Sequence, residues 1–191
     1  IIGAVAAGNT VILKPSEYAP FTANVVEEVI NETFAPEHVS MAKGDVSVAS
    51  ELLKLRWDYV FFTGSTNVGK IVAKAAAEHL TPYTLELGGK NPCIVDQTAP
   101  IGLTAKRIVW GKYVNCGQTC IAPDYLLVHK SKVAALTEAM AKEIKNAFGD
   151  DPQKSHSYGR IINQKHLMHL KRMLEGVTLA HGGTVNEEDL Y

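Results

Sequence analysis

The sequence predicts an α/β protein in which a parallel, Rossmann-like sheet is followed by part of a second α/β domain. Three observations support this prediction. Short runs of β-branched and aromatic residues recur along the chain and are bounded by glycine or proline. Between these runs, apolar residues return at the spacing of a helix face. Strands that alternate with helices favour right-handed crossovers between parallel strands.

The first half of the chain carries four predicted strands and three predicted helices. The strands cover residues 10–13, 38–41, 58–62 and 82–87. The first helix begins at Pro20 and ends before Pro36, because proline suits the first turn of a helix but not its interior. The second covers residues 48–55. The third carries an apolar face formed by Val68, Ile71, Val72, Ala75 and Ala76.

The alternation of predicted strands and helices resumes after Gly89. Predicted strands cover residues 92–96, 125–129 and 177–179. Predicted helices cover residues 103–113 and 133–148, and a last one is marked by Leu167, Leu170 and Leu174. We place a domain boundary near residues 86–90, which divides the chain into units 1–87 and 88–191.

Composition excludes several classes of function. The 191 residues carry a formal net charge of −1 without a run of like charges, so nothing drives the chain towards nucleic acid or an anionic membrane. No apolar stretch approaches the roughly 20 residues of a membrane span. Three cysteines do not suggest a disulfide framework and favour a cytoplasmic, reducing setting. The apolar start without methionine and the end without a finishing helix suggest the central piece of a longer protein.

Two of the cysteines, Cys116 and Cys120, lie four residues apart in a predicted loop. They suggest a metal half-site or a redox pair. A zinc site needs four ligands, however, and the other candidates, Cys93 and His129, lie in predicted strands. Buried thiols that act as small hydrophobes are the alternative that residue types alone favour. The position of Cys120 shortly after Gly117 indicates a displayed rather than a packed side chain.

A second segment, residues 62–69, joins a predicted strand to a predicted helix through small residues. Backbone N–H groups at such a helix start can bind a phosphate. The glycine spacing is G-x-x-x-x-G, which lacks both the G-x-G-x-x-G dinucleotide pattern and the Walker ending. The alternative is a helix without a ligand, capped by Ser65 or Thr66.

Two charged residues have both a chemical and a structural interpretation. Glu86 lies at the end of a predicted strand, between two leucines and ahead of a glycine pair. A carboxylate with apolar neighbours can have a raised pKa and serve as a general base. The alternative is an exposed glutamate at a strand edge. Lys14, before Pro15, is similarly a surface cation unless a ligand lies there.

Four segments together resemble the aldehyde dehydrogenase superfamily. They are residues 13–17 (LKPSE), 62–65 (FTGS), 85–90 (LELGGK) and 117–120 (GQTC), which occur in this order and at a similar spacing in that superfamily. The stretch 110–125 most resembles the class 3 branch, which includes fatty and aromatic aldehyde dehydrogenases. The resemblance covers essentially the whole chain, which corresponds to the middle of the superfamily's longer sequence.

The resemblance implies two catalytic residues. Cys120 corresponds to the nucleophile, whose thiolate forms a thiohemiacetal with the aldehyde and, after hydride transfer to the nicotinamide, a thioester. Glu86 corresponds to the base that activates water to hydrolyse this thioester. Its presence disfavours acylating members of the superfamily, which pass the acyl group to CoA and usually lack this base.

The resemblance also implies cofactor-binding residues, so that unit 1–87 is a partial NAD(P)-binding domain and unit 88–191 a partial catalytic domain. Lys14 and Glu17 correspond to residues that bind the adenine-side ribose. By its charge Glu17 favours NAD over NADP, although NADP remains possible. Gly64 and Ser65 correspond to the turn beside the pyrophosphate.

The resemblance finally implies what lies outside the chain. The superfamily's oxyanion asparagine corresponds to a position before Ile1, and the segments that usually pair subunits correspond to positions after Tyr191. We therefore expect the 191-residue piece to be inactive alone. For its parent we expect a small-molecule aldehyde as substrate, a homodimer and no metal. A further C-terminal tail could anchor the parent to a membrane. The alternative is a nucleotide-binding or structural protein of this fold without catalysis.

Overall fold

The computed structural model describes residues 1–191, and these divide into two compact units, Ile1–Glu86 and Leu87–Tyr191. The elements of the first unit, in chain order, are α1 (Ile2–Ala6), β1 (Val11–Leu13), α2 (Pro20–Thr33), β2 (Val39–Met41), α3 (Val46–Leu53), β3 (Val60–Thr63), α4 (Thr66–Glu78) and β4 (Tyr83–Glu86). Those of the second are β5 (Asn91–Val95), α5 (Ile101–Tyr113), β6 (Pro123–Val128), α6 (Val133–Phe148) and α7 (Gln164–Met173). The domain functions assigned to units 1–87 and 88–191 stay predictions.

All strand pairs are parallel, which confirms the predicted α/β class. In the first unit β1 pairs with β2, and β3 pairs with β4. In the second, β5 pairs with β6. Each of these is a separate two-stranded sheet. A helix lies between the paired strands in the sequence each time, as a parallel connection requires.

Local chemistry explains where the helices of the first unit begin. Pro20 occupies the first turn of α2, where its missing N–H leaves no bond unmade. The Asp45 carboxylate caps α3 by accepting from the N–H of Ser47 at 2.8 Å. This cap starts α3 at Val46, two residues before the predicted position. The Ser65 hydroxyl caps α4, which confirms one of the two predicted capping residues.

The core of the second unit forms where α5 and α6 cover the β5–β6 pair. Its fully buried members are Val95, Ala105, Ile108 and Leu136. Cys93 and Met140 are half-buried against this cluster. The core therefore holds the two strands and the first half of α5 in place. The loop that carries Cys120 connects that helix to β6.

One predicted element is absent, and one element was not predicted. Residues 177–179 form no strand, and both Val177 and Leu179 are about half exposed. A β-favouring composition does not make a strand unless a neighbour accepts its backbone hydrogen bonds. The apolar start was not predicted to be helical, but Ile2–Ala6 forms α1 without any capping side chain. No helix in the chain is both long enough and apolar enough to cross a membrane.

Candidate functional site

The loop between α5 and β6, residues 114–122, is called the cysteine loop below. After Val114 come three consecutive residues in the left-handed region, Asn115, Cys116 and Gly117, at φ values of 50°, 55° and 77°. Only glycine adopts this conformation without steric cost, which for other residues is roughly 1–2 kcal/mol each. Contacts made by the rest of the loop must therefore hold this turn in place.

The Gln118 side chain supplies one set of these contacts. Its Nε2 donates to the carbonyl oxygens of Asn115 at 3.1 Å and Arg160 at 3.0 Å. Its Oε1 accepts from the N–H of Ile162 at 3.0 Å. The amide thus joins the start of the cysteine loop to a segment about 40 residues further along the chain.

Cys120 lies in a tight turn that follows directly. The N–H of Ala122 donates to the carbonyl of Thr119 at 3.2 Å, which makes Cys120 the second residue of a four-residue turn. Its side chain is exposed, as the sequence predicted. Its backbone N–H donates to no other group in the chain and is free to meet an incoming oxygen.

The Asn91 side chain, at the start of β5, binds the other end of the cysteine loop. Its Nδ2 donates to the carbonyl oxygen of Cys120 at 2.7 Å and to that of Ala122 at 3.1 Å. The Cys120 carbonyl also lies close to Gly89, because a Cβ atom added there would meet it at 2.8 Å. The contacts of Asn91 with the cysteine loop and of Gln118 with Arg160 and Ile162 were not predicted, because they join residues at least 29 positions apart.

Cys116 has a different environment from Cys120. It is half-buried, and its Sγ would lie 3.1 Å from a Cβ atom at Gly159. Burial raises the pKa of the Cys116 thiol, although the nearby Arg160 guanidinium acts in the opposite direction. Because the thiolate is the reactive form, Cys116 is held in a less reactive state than an ordinary cysteine.

This difference predicts an order of labelling. Iodoacetamide at neutral pH is expected to modify Cys120 first, because Cys120 is exposed and Cys116 is half-buried with a raised pKa. Labelling of Cys116 is expected to grow only as the pH rises, since a raised pKa moves thiolate formation to higher pH. Peptide mass spectrometry across a pH series checks this. Equal labelling of both cysteines at neutral pH would contradict it.

Glu86 ends β4, and its backbone lies beside the turn after β3. The β3–β4 register pairs Thr63 with Glu86, and the N–H of Gly64 donates to the Glu86 carbonyl at 3.0 Å. The Glu86 side chain is exposed, so the neighbouring leucines do not enclose its carboxylate in this structure. The structure therefore brings together the backbones of Gly64 and Glu86.

Ser65 starts the 13-residue helix α4, and its hydroxyl accepts from the N–H of Val68 at 3.3 Å. The cap takes one of the free N–H groups of the first turn and leaves others for a ligand. Gly64 comes just before it, and a Cβ atom there would lie 2.5 Å from the Phe62 ring. Glycine thus lets the chain turn tightly between β3 and α4.

Lys14 and Glu17 lie just after β1 and bind each other. The Lys14 Nζ and the Glu17 Oε2 are 2.9 Å apart. The hydrogen bond from Lys14 lowers the pKa of the Glu17 carboxyl. A lowered pKa keeps Glu17 ionised at neutral and weakly acidic pH, and the pair is lost only as the pH falls through that lowered value. The two predicted ribose-binding residues are therefore adjacent and both charged.

The remaining histidines, cysteines and acids form no set of three or more that could hold a metal ion. Cys93 lies in β5 and is half-buried against the core, whereas Cys120 is exposed. All three cysteines are free.

Comparison with known proteins gives consistent matches. Residues 1–190 match the model of the aldehyde dehydrogenase family. The chain is 46% identical over its full length to a dimeric NADP-preferring aldehyde dehydrogenase from Rattus norvegicus, and covers 42% of that protein. It is 45% identical to aldehyde dehydrogenase family 3 member A2 from Macaca fascicularis, again over its full length, and covers 39% of that protein.

A solved structure agrees with these relatives. It is a betaine aldehyde dehydrogenase double mutant from Staphylococcus aureus in complex with NAD⁺. The likeness has a TM-score of 0.86 at 31% identity, and covers 100% of this chain and 40% of the other. The chain thus spans about two fifths of the length of the proteins that it matches.

Proposed function

We propose, on the premise that this chain belongs to the aldehyde dehydrogenase family, that the full-length protein oxidises an aldehyde to a carboxylic acid with NAD⁺. The observation that carries the proposal is the exposed Cys120 in a tight turn, with its backbone N–H free. The direct test is to assay the full-length protein with a panel of aldehydes. One NADH and one carboxylic acid are expected for each aldehyde consumed, and no NADH with any aldehyde is the contrary result.

In the first half of the reaction the Cys120 thiolate attacks the aldehyde carbon. The carbonyl double bond opens, a C–S bond forms, and the oxygen that becomes negative is stabilised by the N–H of Cys120. A bound NAD⁺, held by Lys14, Glu17 and the turn at Gly64 and Ser65, would supply the acceptor for the hydride that leaves the same carbon. The C–O double bond re-forms and leaves an acyl thioester on Cys120. The exposed thiol and the free N–H of one residue support both roles.

In the second half, water attacks the acyl carbon while the Glu86 carboxylate takes its proton. The C–S bond breaks and releases the acid with the Cys120 thiolate. Support for this role comes from the position of Glu86 at the end of β4, where its carboxylate is open to water and the β3 pairing holds its backbone. A base carried by a strand is held more rigidly than one on a loop.

The cofactor is proposed to bind the first unit. The Lys14–Glu17 pair offers a donor and an acceptor to the two hydroxyl groups of a ribose. The turn at Gly64 and Ser65 and the start of α4 offer backbone N–H groups to a pyrophosphate. The ionised Glu17 repels a 2′-phosphate, which favours NAD over NADP. NADP is nevertheless the preference named for the rat relative.

Glu17→Gln in the full-length protein tests the cofactor assignment. Removing the charge is expected to raise the ratio of kcat/KM with NADP to that with NAD about tenfold, because one charge near a phosphate is worth roughly 1–4 kcal/mol at surface sites. Initial rates of NADH and NADPH formation measure the ratio. Glu28→Gln, an exposed residue on α2 without an ion pair, is the matched control. An unchanged ratio in Glu17→Gln would remove Glu17 from the ribose site.

A non-catalytic protein of this family is the second candidate. The exposed Cys120 and the intact Glu86 disfavour it, since neither a structural nor a nucleotide-binding role needs them. Inactivity of the 191-residue piece alone, a cytoplasmic location and a homodimeric parent also remain proposals. The small number of cysteines supports the cytoplasmic location. The rat relative is named as dimeric, which supports the homodimer.

A further inference from the structure

We propose that Asn91 is a positioning residue that holds Cys120 in its reactive geometry. This inference rests on the proposed function, because it concerns the same nucleophile. Asn91 has no place in the mechanism above, yet its side-chain amide contacts the backbone of Cys120 itself. It is half-buried at the first residue of β5, the strand whose other end enters the core of the second unit.

The two donors of the Asn91 amide have two acceptors on the cysteine loop. One is the carbonyl of Cys120 at 2.7 Å, and the other is the carbonyl of Ala122 at 3.1 Å. The first carbonyl belongs to the central peptide of the turn, which is the peptide that can rotate between turn types. Bonding that carbonyl fixes the backbone directly after the nucleophile. The Ala122 bond fixes the end of the same turn, so rotation of one carbonyl alone is opposed.

Gly89 makes this approach possible. Any larger residue there would place its Cβ atom 2.8 Å from the Cys120 carbonyl and about 3 Å from the Asn91 amide. The segment around Gly89 and the cysteine loop therefore pack closely at the Cys120 carbonyl. The Gln118 amide anchors the preceding part of the loop independently. Cys120 is thus held on both sides, while its own side chain and N–H stay free.

This arrangement matters because an attacking group must be aligned with its target to a fraction of an ångström. A displacement of about 1 Å can lower a rate on the order of 100-fold. The left-handed residues near the start of the cysteine loop are strained, so the backbone is expected to relax when a stabilising contact is removed. Asn91 opposes that relaxation at the nucleophile itself.

The test compares Asn91→Ala and Asn91→Asp in the full-length protein. Alanine removes both donors. Aspartate keeps the shape, but when ionised it turns acceptors towards two carbonyl oxygens. Both variants are expected to slow iodoacetamide alkylation of Cys120 and to lower kcat about 10- to 100-fold, with KM for NAD⁺ unchanged. The ratio of Asn91→Asp to wild-type activity is expected to rise as the pH falls, because a protonated carboxyl can donate again, whereas that of Asn91→Ala stays flat.

Controls separate positioning from folding. Asn31→Ala, on the exposed side of α2 and without a side-chain hydrogen bond, should match the wild type. Alkylation of the half-buried Cys116 should stay unchanged in the Asn91 variants. If Asn91→Ala does not fold, Gly89→Ala serves instead, since it displaces the same carbonyl. Cys120 alkylation within about twofold of wild type, or an equal change at Cys116 and Cys120, overturns the inference. The alkylation rates test the role of Asn91 even if the wild type oxidises no aldehyde. That result would contradict only the proposed function.

Discussion

Cys120→Ser in the full-length protein is expected to lower the rate of aldehyde oxidation by about 1,000-fold or more, the usual scale for removal of a covalent nucleophile. A serine hydroxyl ionises far less readily than a thiol, so the attack on the aldehyde loses its nucleophile. The substitution changes one atom of an exposed residue, and the turn and the Asn91 side chain contact only backbone atoms of the cysteine loop. Stability and NAD⁺ binding should therefore stay close to wild type. Initial rates of NADH formation and NAD⁺ titration measure the two effects.

Cys116→Ser is the matched control for this prediction. Its thiol is half-buried and burial raises its pKa, so we expect it to take no part in the attack. Activity within about threefold of wild type is expected, with a small loss of stability from the changed packing. If Cys116→Ser abolished activity while Cys120→Ser retained it, the nucleophile would be Cys116.

Glu86→Gln is expected to give the second largest effect and a different kinetic signature. The amide cannot take a proton from water, so hydrolysis of the thioester should fall by about 100- to 10,000-fold. Formation of the thioester should continue at an appreciable rate. Mixing the variant with NAD⁺ and aldehyde should then release about one NADH per active site in a rapid burst, followed by a slow steady state. Stopped-flow absorbance measures the burst and the later rate.

Glu78→Gln, an exposed residue at the end of α4 without an ion pair, is the control for Glu86→Gln. It should turn over at the wild-type rate. A steady-state rate in Glu86→Gln equal to wild type would exclude Glu86 as the base. The complete absence of a burst would move its role to the first half of the reaction, before the thioester forms.

Much of the fold follows from local sequence patterns. The aromatic and β-branched run that became β3 is bounded by turn residues, and the structure contains the strand within one or two residues of its predicted limits. The cap of α4 at Ser65 follows from the small polar residues before an apolar helix face. These features depend on neighbours in the sequence, so one segment at a time is enough to predict them.

Features that depend on distant partners were not predicted. Residues 177–179 have a β-favouring composition, but no strand lies beside them to accept their hydrogen bonds. The left-handed conformation of Asn115 and Cys116 is opposed by local sterics and is held by contacts such as that of Gln118 with Arg160. No periodic pattern indicates such a contact.

In the candidate site, too, local features could be predicted from the sequence and contacts with distant residues could not. The exposure of Cys120 could be predicted from the glycine and polar residues around it. The lower exposure of Cys116 could not be predicted, because the segment that covers Cys116 lies near Gly159, more than 40 positions away. The Asn91 contact likewise joins residues 29 positions apart. The residues that hold Cys120 in place can therefore be identified only from the folded chain.

The proposed reaction requires that the aldehyde become covalently attached to Cys120 during oxidation. The most direct measurement is peptide mass spectrometry of full-length Glu86→Gln, quenched in acid soon after mixing with NAD⁺ and an aldehyde. A mass increase equal to the acyl group is expected on the peptide that contains Cys120, and none when NAD⁺ is omitted. An acyl group on Cys116 or Cys93, or NADH formation without any acylated cysteine, would contradict it.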